Sequence, residues 1–519
     1  MIKSSGGVFM LAIVKSTALH GLCGCLVQVE VDVTNGLPGF EIVGLPGPAC
    51  RESRDRVRSA LKNSGFEFPA RRITVNLAPA DLRKEGPLYD LPIAVAILAA
   101  TGQLDQAAAS KFVFLGELSL NGTVRGVAGV LPNVLAAREQ GVRDVIVPLE
   151  NAAEAALVQD MRVYPVERLD RLCAFLRGEE EIRPYRVDLA ALMKKEGDGG
   201  PDMADVRGQA AARRALEVAA AGGHNILMVG SPGSGKTMLA RRLPGILPDL
   251  TFEEALEITK IYSLAGLLKP GFPLITERPF RSPHHSASTV GLIGGGRQIR
   301  PGEISLAHHG VLFLDELPEF HRDVLEALRQ PLEDGVVTIS RAGGTITYPA
   351  SIMLVAAANP CPCGFLGDST RQCHCTPHQV QRYLGRISGP VLDRIDIHIE
   401  VPRVNYEDLA GSLPGEPSAK IKRRVQEVRE IQRRRFAKTP TSCNARMTPD
   451  QVRRFCVLSK EARALIPSFF RHLNLSARSY ERVLKVARTV ADLEGSEVIE
   501  AAHLAEALQY RSLEGRYWG

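Results

Sequence analysis

Apolar residues alternate in the first part of this chain and run together in the second. Between Leu26 and Val33 the residues Val27, Val29, Val31 and Val33 take every second place, the period of a half-buried strand. The turn Gly36-Leu37-Pro38-Gly39 leads into a short strand at Phe40 to Val43, and Ile73 to Leu77 predicts another. Arg51 to Lys62 has helical spacing, with Arg51, Arg54, Arg56 and Arg58 as a basic face open to solvent or to a nucleic acid or protein partner. Ile93 to Ala100 predicts an apolar helix and Ala210 to Ala221 an alanine-rich one. The runs Ile226 to Val229, Val311 to Leu314 and Ile352 to Ala358 are continuously apolar, as strands covered on both faces of a parallel sheet must be. Thr338 to Tyr348 predicts a β-hairpin with Arg341-Ala342-Gly343-Gly344 at its tip. Helices close the chain. Ala419 to Lys438 is strongly basic, either a solvated face or a DNA contact, and Leu475-Ser476-Ala477-Arg478-Ser479 opens a helix reaching about Asp492.

Length and composition narrow the class. A chain of 519 residues corresponds to about three domains. The expected division is 1–183, a linker at 184–204 in a charged and glycine-rich stretch, an ATPase core at 205–404 and a helical lid at 405–519. The net charge of +6 permits a nucleic-acid partner without requiring one. Ten cysteines without a secretion signal fit a reduced, cytoplasmic setting, where metal binding or plain core is expected before a disulfide framework. No segment reaches the ~20 apolar residues of a membrane span.

The strongest chemistry is Gly230-Ser231-Pro232-Gly233-Ser234-Gly235-Lys236-Thr237, set between an apolar strand and a helix. In a G-x-x-x-x-G-K-[ST] loop the glycines let backbone N–H groups wrap phosphates, the lysine reaches the outer ones, and the Thr hydroxyl meets Mg2+. This defines a nucleoside triphosphatase with ATP and Mg2+ as cofactors. The Val311–Leu314 run ends in Asp315 and Glu316. Ligands gather at such strand ends. Asp315 is expected in the Mg2+ shell, and Glu316 as the group that orients and deprotonates water. Asn359 ends a third strand within reach of the γ-phosphate or the water. Arg394 is a candidate for the arginine that a neighbouring subunit inserts, with Arg386 as its rival, and Arg478 stands where a nucleotide-sensing arginine would. Cys361, Cys363, Cys373 and Cys375 form two close pairs that fit a tetrahedral Zn2+, with His374 and His378 as alternative ligands.

These motifs, in this order, resemble AAA+ ATPases, and among them the magnesium-chelatase ATPase subunit and MCM helicases. Arg281-Ser282-Pro283-His284-His285-Ser286-Ala287-Ser288 and Gly294-Gly295-Gly296 match the insertion that marks this branch. Upstream, Leu77 to Leu98, Gly122 to Val127 and Leu135 to Pro148 resemble the proteolytic domain of Lon-type proteases. Leu88 stands where that family has its catalytic serine, and no lysine lies near Leu131 to Asn133, so covalent peptide cleavage lacks its nucleophile and base. The combined layout is similar to the YifB/ComM family and covers nearly the whole chain from about Met10, a candidate start. It implies an α/β protein with an N-terminal Lon-like (ribosomal S5-like) α+β domain, an AAA+ parallel-sheet core and a C-terminal helical lid. It also implies a homo-hexamer that acts on DNA as a helicase, migrating branches during natural transformation. The competing readings are a chelatase-like ATPase that drives a partner protein, and an adaptor or unfoldase.

Overall fold

Strands β1 (Met10–His20) and β2 (Cys23–Thr34) form an antiparallel hairpin in which Met10 faces Val33 and His20 faces Cys23. Val27, Val29, Val31 and Val33 all turn inward, as the alternation requires. With β3 (Gly39–Val43), β4 (Arg72–Ala78), β5 (Val113–Phe114), β6 (Asp144–Pro148) and β7 (Arg162–Val166) they build a seven-stranded mixed sheet of order β3-β4-β2-β1-β5-β6-β7. The computed structural model describes residues 10–194, 200–296, 299–341, 344–368, 370–404, 415–472 and 476–518. Linker residues 195–199, hairpin-tip residues Ala342 and Gly343, and Leu475 lie outside that set.

The chain divides into two units: Met1–Lys195 with Phe252–Thr276, and Glu196–Thr251 with Glu277–Gly519. In the first, helices α1 (Ser53–Asn63), α2 (Asp90–Ala100) and α3 (Val130–Glu139) accompany the sheet, and α2 and α3 pack on β1 and β2. The helix expected at Arg51–Lys62 is broken, because Pro48–Arg51 is a separate short turn. Its basic face is also not wholly solvated. Arg56 grips the buried Asp90 through Nε to Oδ2 at 2.6 Å and Nη2 to Oδ1 at 3.0 Å. Every residue of α2 is buried, which explains its unbroken apolar character. Leu88 is also buried, and Asn133 accepts from the Thr17 hydroxyl at 2.8 Å while donating to the Gly129 carbonyl at 2.7 Å.

Within the 205–404 stretch, the helix Phe252–Ala265 groups with the first unit. It buries Ala255, Ile258 and Ile261, the Ser263 hydroxyl donates to Glu154, and the Gly129 N–H donates to the Ser263 carbonyl at 2.9 Å.

The second unit starts with α4 (Ala210–Gly222), β8 (Ile226–Val229) and α5 (Lys236–Arg242). Its five-stranded sheet is parallel throughout, with β9 (Phe280–Arg281), β10 (Val311–Leu314), β13 (Met353–Ala358) and β14 (Ile397–Glu400) arranged as β9-β10-β13-β8-β14. Between β10 and β13 the hairpin β11 (Val336–Arg341) and β12 (Gly344–Pro349) forms where the sequence places it. Helices α6 (Ser418–Arg435), α7 (Ala477–Leu493) and α8 (Ala501–Gln509) share one core with α4 and the sheet. The α6 cations are largely engaged inside the unit. Arg424 bonds Glu217 at 2.6 Å and also Glu416, Lys422 reaches Asp249, and Arg435 clasps Asp492. No described helix is long and apolar enough to cross a membrane.

Candidate nucleotide site

The carboxyl ends of β8, β10 and β13 bring together residues that are far apart in sequence. At the end of β8, Gly230 donates its N–H to the Ala358 carbonyl at 3.1 Å. A Cβ on Gly230 would stand 2.3 Å from the Val401 carbonyl oxygen, so no larger residue fits there. Gly233 and Gly235 take φ of +80° and +90°, conformations that curl the loop and that glycine adopts without strain. Gln209 fastens the loop from outside: its Nε2 donates to the Ser234 carbonyl at 2.5 Å.

Lys236 is 7% exposed, and its Nζ donates to the carbonyls of Gly230 at 2.6 Å and Ser231 at 3.0 Å and to Asn359 Oδ1 at 3.3 Å. Burial lowers its pKa, and the charges of Asp315 and Glu316 pull it back up. The Thr237 hydroxyl donates to Asp315 Oδ2 at 2.7 Å. That hydroxyl–carboxylate pair is a Mg2+ donor set, so the residues fit the ion. Glu316 follows at φ 53°, an uncommon value for a side-chain-bearing residue, and its carboxylate lies 3.2 Å from His285 Nδ1. The sequence thus places Gly230, Lys236, Thr237, Asp315, Glu316 and Asn359 in one site. The sequence gives His285 no catalytic role, although the residue lies in the Arg281–Ser288 motif.

The candidate arginines divide. The Arg394 side chain is 4% exposed, with its guanidinium on Glu333 and on the Pro390 carbonyl of its own chain. Arg386 is 53% exposed and bonds Glu319 at 2.8 Å beside a surface hollow that Arg322 and Arg382 also line. Arg478 is exposed in the first turn of α7, which the Ser476 side chain caps.

Next to Asn359 the sulfurs of Cys361, Cys363, Cys373 and Cys375 lie within 4.8 Å of one another. The measured pairs are 3.3, 3.6 and 3.7 Å. Four sulfurs at about 2.3 Å from a tetrahedral Zn2+ would stand about 3.8 Å apart, close to this spacing. Burial pushes the Cys361 thiol up to about 12. Burial opposes ionisation of Cys363 as well, but the Phe365 N–H, the Cys361 thiol and the His374 N–H outweigh it and lower that thiol to about 6.

A phosphate loop, an acidic strand end carrying a Mg2+ pair, and a polar residue on the next strand define a P-loop ATPase of the AAA+ class. Three family models match the chain: "Magnesium chelatase, subunit ChlI" over residues 202–409, "Subunit ChlI of Mg-chelatase" over 29–151, and "Magnesium chelatase, subunit ChlI C-terminal" over 415–511. Competence protein ComM of Haemophilus influenzae is 48% identical, with 97% of this chain and 98% of that protein covered. YifB of Salmonella typhimurium is 47% identical, with 97% of each covered. The chain belongs to this ComM/YifB family of magnesium-chelatase-like proteins, which implies ATP and Mg2+ as its cofactors. A Lon protease of Chloroflexus aurantiacus is 30% identical over 29% of this chain and 19% of its own length, consistent with a Lon-like N-terminal region.

Proposed function

We propose that the chain is a ring-forming, ATP-driven DNA motor of the cytoplasm, a helicase that promotes branch migration during transformation and recombination. The observation that carries this reading is the complete hydrolytic set, from Lys236 and the Thr237–Asp315 pair to Glu316 at the strand end, in a chain matching a competence protein over 97% of its length. Lys236 holds the outer phosphates and Asn359 positions Lys236. Thr237 and Asp315 would hold Mg2+, which screens the phosphate charge when bound. Glu316, set by His285, takes the proton of the attacking water. Arg386 is the arginine offered to the next subunit of a homo-hexamer, with Arg394 as the alternative. Arg341, at the exposed end of β11, faces DNA phosphates in the ring pore. Arg478 senses nucleotide from the lid. The four cysteines hold one Zn2+. The Lon-like domain is inert as a protease, because a buried Leu88 and the engaged Asn133 supply neither nucleophile nor base.

The test is ATP-dependent displacement of a labelled strand from a forked or three-stranded DNA, together with stimulation of ATP hydrolysis by DNA. Hydrolysis that ignores DNA and moves no strand refutes the motor. It would favour the second reading, a chelatase-like ATPase driving a partner protein, which the three ChlI matches support.

A further inference from the structure

The cysteines lie at the two ends of a loop whose middle touches the phosphate loop. Gly364 approaches Pro232 so closely that a Cβ there would stand 2.6 Å from Pro232 Cδ. Asp368 accepts from the Thr370 N–H at 2.8 Å, the Thr370 hydroxyl at 2.7 Å and the Arg371 N–H at 3.1 Å. Ser231 lines one hollow with Asp368, and Thr370 and Ser231 hold the Asp368 carboxyl below the usual carboxylate range. Arg403 spans both segments, donating to the Pro232 carbonyl at 3.2 Å and to the Thr370 hydroxyl at 3.1 Å.

At the ends of the loop, the Cys375 N–H donates to Cys373 Sγ at 3.4 Å, and the Gly364 N–H donates to the Cys361 carbonyl at 2.9 Å. Outer partners of this kind orient metal ligands. Phe365 and Leu366 are only partly buried, so the segment has little core of its own to hold it in shape. A loop of that kind loses conformational entropy on ordering, and a metal crosslink between its ends removes most of that cost in advance.

We propose that Zn2+ on these four thiolates braces the phosphate loop, so that affinity for nucleotide depends on metal loading. This rests on the reading of the cysteines as zinc ligands. The metal ties Cys361 and Cys363 to Cys373 and Cys375, and so presents Gly364 and Asp368 to Pro232 and Ser231 in one arrangement. The phosphate loop then meets ATP already shaped, and binding spends less free energy on ordering it.

The experiment uses the full-length protein purified without added zinc. Elemental analysis should find about one Zn per chain. A zinc-selective chelator, used with Mg2+ kept in excess, should weaken binding of a fluorescent ATP analogue about tenfold or more. Added Zn2+ should restore binding, and further Mg2+ should not. Asp368→Ala should keep its zinc yet bind the analogue several-fold more weakly, whereas Cys23→Ser, at an exposed cysteine outside the cluster, should change neither. Zinc that can be removed with no change in affinity overturns the brace and leaves the metal site standing. Protein that never carries zinc overturns the site itself. If circular dichroism shows that the stripped protein unfolds, the Asp368→Ala affinity decides, and wild-type binding by that zinc-loaded variant overturns the proposal.

Discussion

Arg386 and Arg394 should fail in different ways when removed. Arg386 has a half-exposed guanidinium whose carboxylate partner, Glu319, is itself 41% exposed, so its loss should cost the fold little. If it completes the neighbouring site, Arg386→Ala should slow hydrolysis about 10³-fold, or about 4 kcal/mol of barrier, while ATP binding and thermal midpoint stay near wild type. Arg394 is enclosed, with Glu333 on one nitrogen and the Pro390 carbonyl on another. Hydrogen bonds to a charged group contribute about 1.5–3 kcal/mol each; because Glu333 is half exposed and can be rehydrated, about 2–3 kcal/mol in total is a fair discount. Arg394→Ala should therefore show itself first in thermal or urea denaturation. The assay mixes each variant with Glu316→Gln subunits. Arg386→Ala mixtures should regain activity, because a Glu316→Gln neighbour donates an intact arginine to an intact base. An Arg394→Ala protein of unchanged stability that is inactive alone and rescued in mixtures, beside a fully active Arg386→Ala, would refute the reasoning and make Arg394 the inserted arginine.

Glu316→Gln should still bind ATP but hydrolyse it at least ~10²-fold more slowly, the scale of a lost general base. His285→Ala should cause a smaller fall in turnover at unchanged nucleotide affinity, and wild-type turnover in that variant would remove His285 from the site. Stability should also depend on pH through His398 and Asp396. Burial, reinforced by the Arg511 charge, holds the His398 imidazole well below its ordinary value. Burial opposes ionisation of Asp396, yet Arg482 and His224 hold its carboxyl below the usual range. In both cases the unfolded chain binds the proton first. Stability should thus be complete above pH ~6.5, decline below it by up to about 1.4 kcal/mol per pH unit as unfolded His398 protonates, and fall further below pH ~4 through Asp396. His398→Gln should remove the first decline, and a denaturation midpoint that stays flat from pH 7 to 5 in the wild type would contradict this account.

Local chemistry was the most legible part of the sequence. The phosphate loop and Asp315-Glu316 are contiguous motifs whose residue types are dictated by backbone shape and phosphate charge. The strands at Val27–Val33, Val311–Leu314 and Ile352–Ala358 follow from apolar period alone, and the hairpin at Thr338–Tyr348 lies within one residue or two of its observed limits. What stayed hidden depends on partners distant in the chain. Nothing in Arg424 announces that Glu217 will neutralise it, so the basic α6 offered DNA and solvent as equal readings. Nothing in Phe252–Ala265 reveals that Ser263 will meet Glu154. The close approach of Gly364 to Pro232 likewise joins residues that no periodicity relates.

The excursion at Phe252–Thr276 has a consequence for dividing the protein. The polypeptide passes from one unit to the other at 195/196, at 251/252 and at 276/277, so a single cut cannot release either unit whole. A fragment beginning at 205 would carry Ala255, Ile258 and Ile261 without the surroundings that cover them, and should aggregate through that apolar face. A fragment ending near 195 would leave Glu154 without its Ser263 donor. The two ends of the excursion, however, stand side by side in the second unit, where Arg278 Nε donates to the Pro248 carbonyl at 2.6 Å. A short glycine-rich splice in place of 252–276 can therefore close the ATPase unit on itself. The base of this excursion is narrow enough for its removal to leave the parallel sheet undisturbed.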